Sequence, residues 1–252
     1  MKIMVDSQLV ECKDEGTGPV IVLLHGWGAN LGSFNDLAKE LSESARVIRL
    51  DFPGFGGSTK PDDKWGVGEY SIFVGAFLKK LNVTSVYALI GHSFGGRVII
   101  KGIATGELSA AKIVLLDTAG VKPSATAKKA LLHTIAKLGK GMTSVPGLRK
   151  LQPLLRAKLY KAAGSTDYLD AQAMQKIFLN TINEDLLPYV PRIAQPTLLI
   201  WGEGDLETPV GDAYKILNEL PNGKLTVVPG AGHFVYLDEP MLVTKELREF
   251  LS

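Results

Sequence analysis

The chain has 252 residues, 46% hydrophobic and 21% charged, with 27 glycines, 13 prolines and one cysteine, Cys12. That length supports a large core without metal or disulfide staples, and a lone cysteine excludes an intrachain disulfide and any cysteine-based zinc site. A net charge of +2 leaves no basic footprint for nucleic acid, and no run approaches the roughly 18 apolar residues of a membrane span.

In chain order, residues 2–13 are expected to supply one or two antiparallel edge strands. Short apolar runs at 20–24, 46–50, 85–90, 112–116, 197–201 and 224–228 read as strands. Several are nearly continuous in Val, Ile and Leu, as strands covered on both faces are. Helical periodicity occupies 34–42, 70–81, 96–104, 213–220 and 242–251. This alternation predicts βαβ units and a three-layer α/β domain. From about 119 to 191 only helical pattern is visible, broken by glycines and prolines, and alternation resumes at Thr197. Seventy structureless residues inside a domain are improbable, so a helical insertion is expected there. The start, Met1-Lys2-Ile3-Met4-Val5-Asp6, has no signal-peptide pattern. The expected setting is therefore the reducing cytoplasm, without membrane insertion.

Gly91-His92-Ser93-Phe94-Gly95 is a G-x-S-x-G pentapeptide with a strand pattern before it and a helix pattern after it. A nucleophilic serine must project from a very sharp strand-to-helix turn, where only tiny residues two positions away let the backbones approach. The turn also sets the Phe94 amide at a helix N-terminus, where it can hold a developing oxyanion. A serine hydroxyl needs a base to remove its proton, and the histidines are His25, His92, His133 and His233.

On these residues the chain resembles the α/β-hydrolase superfamily over nearly its whole length. Four further segments carry the resemblance in order: His25-Gly26-Trp27-Gly28, Asp51-Phe52-Pro53-Gly54-Phe55-Gly56-Gly57-Ser58, Trp201-Gly202-Glu203-Gly204-Asp205, and Gly232-His233-Phe234. The resemblance implies a mostly parallel sheet with helices on both faces. The core would comprise residues 1–118 and 192–252, with an all-helical cap at 119–191.

It also implies the chain order nucleophile, acid, base. Ser93 would be the nucleophile, Asp205 the acid and His233 the base, with Asp117 the alternative acid and otherwise a cap of its own turn. Glu203 and Glu207 are expected to face solvent, and Asp51 to be structural. The oxyanion hole would use the backbone amides of Trp27 and Phe94, with Trp27 also a candidate for the acyl pocket. His25, His92 and Phe234 are expected near the substrate; His25 would fix its loop and His92 would pack beside the nucleophile. His133 falls on the insertion as a surface or cap residue.

No metal or organic cofactor is required by this chemistry. The implied activity is hydrolysis of small to medium carboxylic esters through an acyl-serine. Perhydrolysis as a side activity and a non-catalytic ligand-binding role are weighed as alternatives. A third alternative is cleavage of carbon–carbon bonds in ring-fission products. Its typical G-N-S-M-G-G elbow and Trp after the histidine are replaced here by His92, Phe94 and Phe234. Residues 121–190 carry eleven basic and four acidic side chains, net +7, leaving −5 for the remainder. A basic cap would attract anionic substrates or surfaces, or be a solvated face. Leu131, Leu132, Ile135 and Leu138 have helical spacing toward the pocket or core. The partner is a small molecule, and the sequence leaves monomer and homodimer open.

Overall fold

The computed structural model describes residues 1–122 and 171–252, with side chains from Met174 onward in the second segment. Met1–Val121 and Lys176–Ser252 pack as one unit, and Lys122–Gln175 as a second. The sheet and the candidate site belong to the first. Most of the expected cap lies outside the described residues, with His133, Leu131, Leu132, Ile135, Leu138 and most of the basic block.

Eight strands form one sheet: β1 Lys2–Val5, β2 Gln8–Glu15, β3 Val20–Leu24, β4 Arg46–Leu50, β5 Ala88–His92, β6 Lys112–Leu116, β7 Thr197–Gly202 and β8 Gly223–Val228. Their spatial order is β1-β2-β4-β3-β5-β6-β7-β8. The β1–β2 and β2–β4 pairs are antiparallel, and every other pair is parallel. Residues 2–13 thus form the expected antiparallel edge. The strand expected at 85–90 pairs instead from Ala88 to His92, in register with Lys112–Leu116.

The α-helices among the described residues are α1 Asn35–Leu41, α2 Val67–Lys80, α3 Phe94–Thr105, α4 Ala171–Asn183, α5 Val210–Glu219, the single turn α6 Val235–Asp238, and α7 Pro240–Leu251. Helix α2 starts three residues earlier than its periodicity suggests, because the Glu69 carboxylate accepts the Gly66 N–H at 2.8 Å and satisfies a free amide of the first turn.

Strand side chains alternate between faces. Ile21, Leu23, Ala88, Ile90, Val114, Leu116, Leu198 and Ile200 join Leu37 and Leu41 of α1 and Val243 and Leu247 of α7 in one core. The intervening Val22, Leu24, Leu89, Leu115 and Leu199 are equally buried; α3 packs on β3, β5 and β6 there, with α2 beside it. Both faces are covered, which is why these strands read as unbroken apolar runs. The strand order reverses beside β3: β4 lies on one side of it and β5 on the other. Loops leaving the carboxyl ends of β3 and β5 therefore diverge and open a crevice.

Candidate active site

Ser93 sits in the turn between β5 and α3 with φ 47° and ψ −107°. This left-handed backbone costs a non-glycine residue about 1–3 kcal/mol. The surroundings hold it in place: the Ser93 N–H donates to Leu116 O at 3.0 Å, and Ser93 O accepts Ala119 N–H at 3.2 Å. A Cβ at Gly95 would lie 2.0 Å from the Leu24 carbonyl oxygen, and one at Gly91 would lie 2.6 Å from Gly95 C and Gly96 N. Strand and helix approach this closely only because both positions lack a side chain.

Two amides border the turn. Phe94 heads α3, where the first N–H groups have no intrahelical partner, and Trp27 lies in the loop after β3. Among the described residues neither amide enters another hydrogen bond. The Trp27 ring packs edge-on to Phe55 and Phe94, with centroids at 4.9 and 5.2 Å, and against Phe178 of α4 at 5.1 Å. The contacts of Phe55 and Phe178 with Trp27 escaped the sequence reading, since nothing local relates residues 27, 55 and 178.

The loop after β7 carries Asp205, and the loop after β8 carries His233. His233 Nδ1–H donates to Asp205 Oδ2 at 2.8 Å. The Thr208 hydroxyl donates to the same oxygen at 2.6 Å, and the Glu207 and Thr208 amides donate to Oδ1 at 2.8 and 3.0 Å. Burial works against the Asp205 charge, but the bonds from His233 and Thr208 outweigh it and hold the carboxyl below its usual range. Burial also works against a charged His233; the Asp205 bond, then the charges of Glu207, Asp205 and Asp117, outweigh it and raise the imidazole above its ordinary value. Thr208 was missed in the sequence, although the Asp205-x-x-Thr208 spacing is that of a side chain closing its own turn.

Asp117, the alternative acid, is fully buried and is held by backbone amides rather than by the histidine ring. Its Oδ1 accepts Gly202 N–H at 2.8 Å and its Oδ2 accepts Val235 N–H at 2.9 Å. Burial pushes this carboxyl up to about 7 despite the two amides. It pins the acid loop and the histidine loop rather than capping the turn at residues 117–120 alone. Asp51 does similar work for the loops after β3 and β4, accepting Leu31 N–H at 2.6 Å and Gly57 N–H at 2.7 Å.

Two of the residues expected beside substrate are interior ones. His25 is fully buried; its Nδ1–H donates to Gly26 O at 2.7 Å and its Nε2 accepts Phe52 N–H at 3.0 Å. Those partners require a neutral ring, in keeping with burial pushing its pKa down to about 4. His92 is also buried, and its Nε2–H donates to His233 O at 2.7 Å. Burial and the neighbouring His233 push it down to about 3. Both histidines join loops and show no surface to a ligand. Phe234, 38% exposed, does. Glu207 is 70% exposed, yet its Oε2 lies 3.4 Å from His233 Nε2.

The model of the "Alpha/beta hydrolase family" matches residues 21–246. The chain belongs to that family. This hydrolase is 23% identical to a protein of Haemophilus influenzae provisionally named an esterase/lipase, covering 100% of the chain and 89% of the relative. It is 24% identical to the 2-hydroxy-6-oxo-6-(2'-aminophenyl)hexa-2,4-dienoic acid hydrolase of Metapseudomonas resinovorans, covering 95% and 86%. Among solved structures, a membrane phospholipase A described as a bacterial virulence factor superposes with a TM-score of 0.76 at 25% identity, covering 100% of the hydrolase and 84% of that chain. No helix among the described residues is long and apolar enough to cross a membrane.

Proposed function

We propose that the chain is a serine hydrolase cleaving carboxylic esters of small to medium acyl chain through an acyl-Ser93 intermediate. The observation that carries this reading is the strained backbone of Ser93, held in the strand-to-helix turn of the G-x-S-x-G pentapeptide.

His233 Nε2 takes the Ser93 hydroxyl proton as Oγ attacks the ester carbonyl carbon. The carbonyl oxygen becomes an oxyanion held by the Trp27 and Phe94 amides. Nε2–H then protonates the leaving alcohol oxygen as the carbon–oxygen bond breaks, and acyl-Ser93 remains. Water gives a proton to Nε2 and attacks the acyl carbon; Ser93 Oγ leaves and recovers its proton, and the acid departs. Throughout, Asp205 holds the Nδ1–H tautomer and offsets the imidazolium charge. A helical cap between residues 119 and 191 and a cytoplasmic setting belong to the same proposal; the single cysteine supports the latter.

A second reading, carbon–carbon hydrolysis of ring-fission products, has the Metapseudomonas resinovorans relative in its favour. A p-nitrophenyl ester panel from acetate to decanoate, with a ring-fission dienoate included, separates the two. The ester reading expects turnover of short and medium esters that Ser93→Ala abolishes. Turnover of the dienoate alone replaces it with the second reading, and esterase activity surviving in Ser93→Ala removes the mechanism.

A further inference from the structure

The His233 ring has a carboxylate at each nitrogen. Asp205 Oδ2 takes Nδ1–H at 2.8 Å, and Glu207 Oε2 stands 3.4 Å from Nε2. Nε2 is the atom that must be unprotonated to receive the serine proton. A neutral His233 presents a lone pair to the Glu207 carboxylate, which is unfavourable; a protonated one presents N–H to it, which is favourable. We infer that Glu207 is a positioning residue acting through His233: it stabilises the protonated ring at Nε2 and so sets the lower pH limit of the reaction. This rests on the reading of His233 as the base.

Among the described residues, the other charged or titratable groups near the ring are placed differently. Asp205 shares the acid loop with Glu207 but has a fully buried side chain. Asp117, after β6, is buried and occupied by two backbone amides. His92, at the end of β5, is buried and neutral, with its ring 4.9 Å from that of His233. Asp238, beyond His233 on its own segment, accepts Gly232 N–H at 2.8 Å. Glu207 is the solvated carboxylate that stands at a ring nitrogen, with 70% of its side chain exposed. Its influence is therefore open to screening by salt, whereas that of the buried carboxylates is screened much less. The backbone explains why it reaches the ring: the Glu207 and Thr208 amides fold back onto Asp205 Oδ1, so the loop doubles over its own acid.

The test uses Glu207→Gln, an isosteric change at an exposed side chain, with Glu203→Gln on the same loop as the control. The ratio of kcat/KM on the acid side to its plateau is expected to rise roughly threefold in Glu207→Gln, the scale of one exposed ion pair. It should be unchanged in Glu203→Gln. Adding 1 M NaCl should produce most of that rise in the wild type and little in Glu207→Gln. A second readout needs no substrate: the NMR titration of the His233 Cε1–H, assigned from a His233→Gln spectrum, should move to lower pH in Glu207→Gln. An unmoved titration overturns the role of Glu207 whether or not any ester is cleaved. A moved titration in a protein that cleaves no ester keeps the pairing and removes the esterase reading instead.

Discussion

At the scale of single residues, the two buried aspartates at the carboxyl ends of β6 and β7 are told apart by their partners. Asp205 faces the imidazole, whereas Asp117 faces two backbone amides. Asp205→Asn keeps the oxygen that the Glu207 and Thr208 amides need but leaves no acceptor suited to Nδ1–H. It is expected to lower kcat by on the order of 10³–10⁴-fold with little change in thermal midpoint. Asp117→Asn must turn an NH2 group toward the Gly202 or Val235 N–H, leaving a buried donor unsatisfied. It is expected to cost about 1–3 kcal/mol in urea denaturation, with the smaller effect on kcat. If Asp117→Asn carried the larger loss of kcat, the roles would be exchanged. The base makes its own prediction. As the proposed base, His233 must be neutral to act, and its pKa is raised above 6.5, so kcat/KM is expected to fall as pH drops through a midpoint above 6.5. A midpoint below that value in a pH–rate profile would contradict the doubly paired ring. The partners of Glu207 and Asp117 were not legible in the sequence because they are set by loop closure. Asp117 reaches amides 85 and 118 residues away, and local spacing shows only the turn it begins.

At the scale of elements, the strands and helices were legible wherever burial on both faces or one face leaves a pattern. Strands β3, β4 and β6 coincide with their apolar runs. The elbow strand did not, because Gly91 and His92 lack the branched side chains that mark a strand and yet pair in the ladder out to Leu116. At the other end the edge is gradual: Tyr87 N–H already bonds Val20 O at 2.8 Å before the ladder begins. The tight β5–α3 junction gives a prediction that its sequence motif alone does not. In Gly95→Ala the new methyl meets a main-chain carbonyl on β3 that cannot rotate away, so destabilisation of roughly 3 kcal/mol or more is expected, with loss of activity. Gly211, in the first turn of α5, has open space around its Cβ position. Gly211→Ala should stabilise by about 0.5–1 kcal/mol and leave activity intact. Equal denaturation midpoints for the two variants would contradict this account of the junction.

At the scale of the molecule, parallel register is what assembles the site. The pairings Leu24 with Gly91, Leu116 with Ile200, and Gly202 with Val228 bring the carboxyl ends of β3, β5, β6, β7 and β8 to one edge of the sheet. The loops bearing Trp27, Ser93, Asp117, Asp205 and His233 all leave from that edge. The order of those loops along the chain was legible, because each glycine-rich segment follows an apolar run. The aromatic contacts of Trp27 were not, because they join loops from different strands. Near-neutrality of the whole chain also hides a division, +7 over residues 121–190 against −5 elsewhere, which makes residues 121–190 the first place to vary in a search for substrate charge preference. Acylation of Ser93 during turnover is tested most directly by mass spectrometry of the intact and digested protein after brief mixing with a p-nitrophenyl ester. One acyl adduct is expected, on the peptide containing Ser93, absent in Ser93→Ala and accumulating in His233→Gln more slowly than in the wild type. An adduct on another residue, or turnover at full rate with Ser93 replaced, would contradict it.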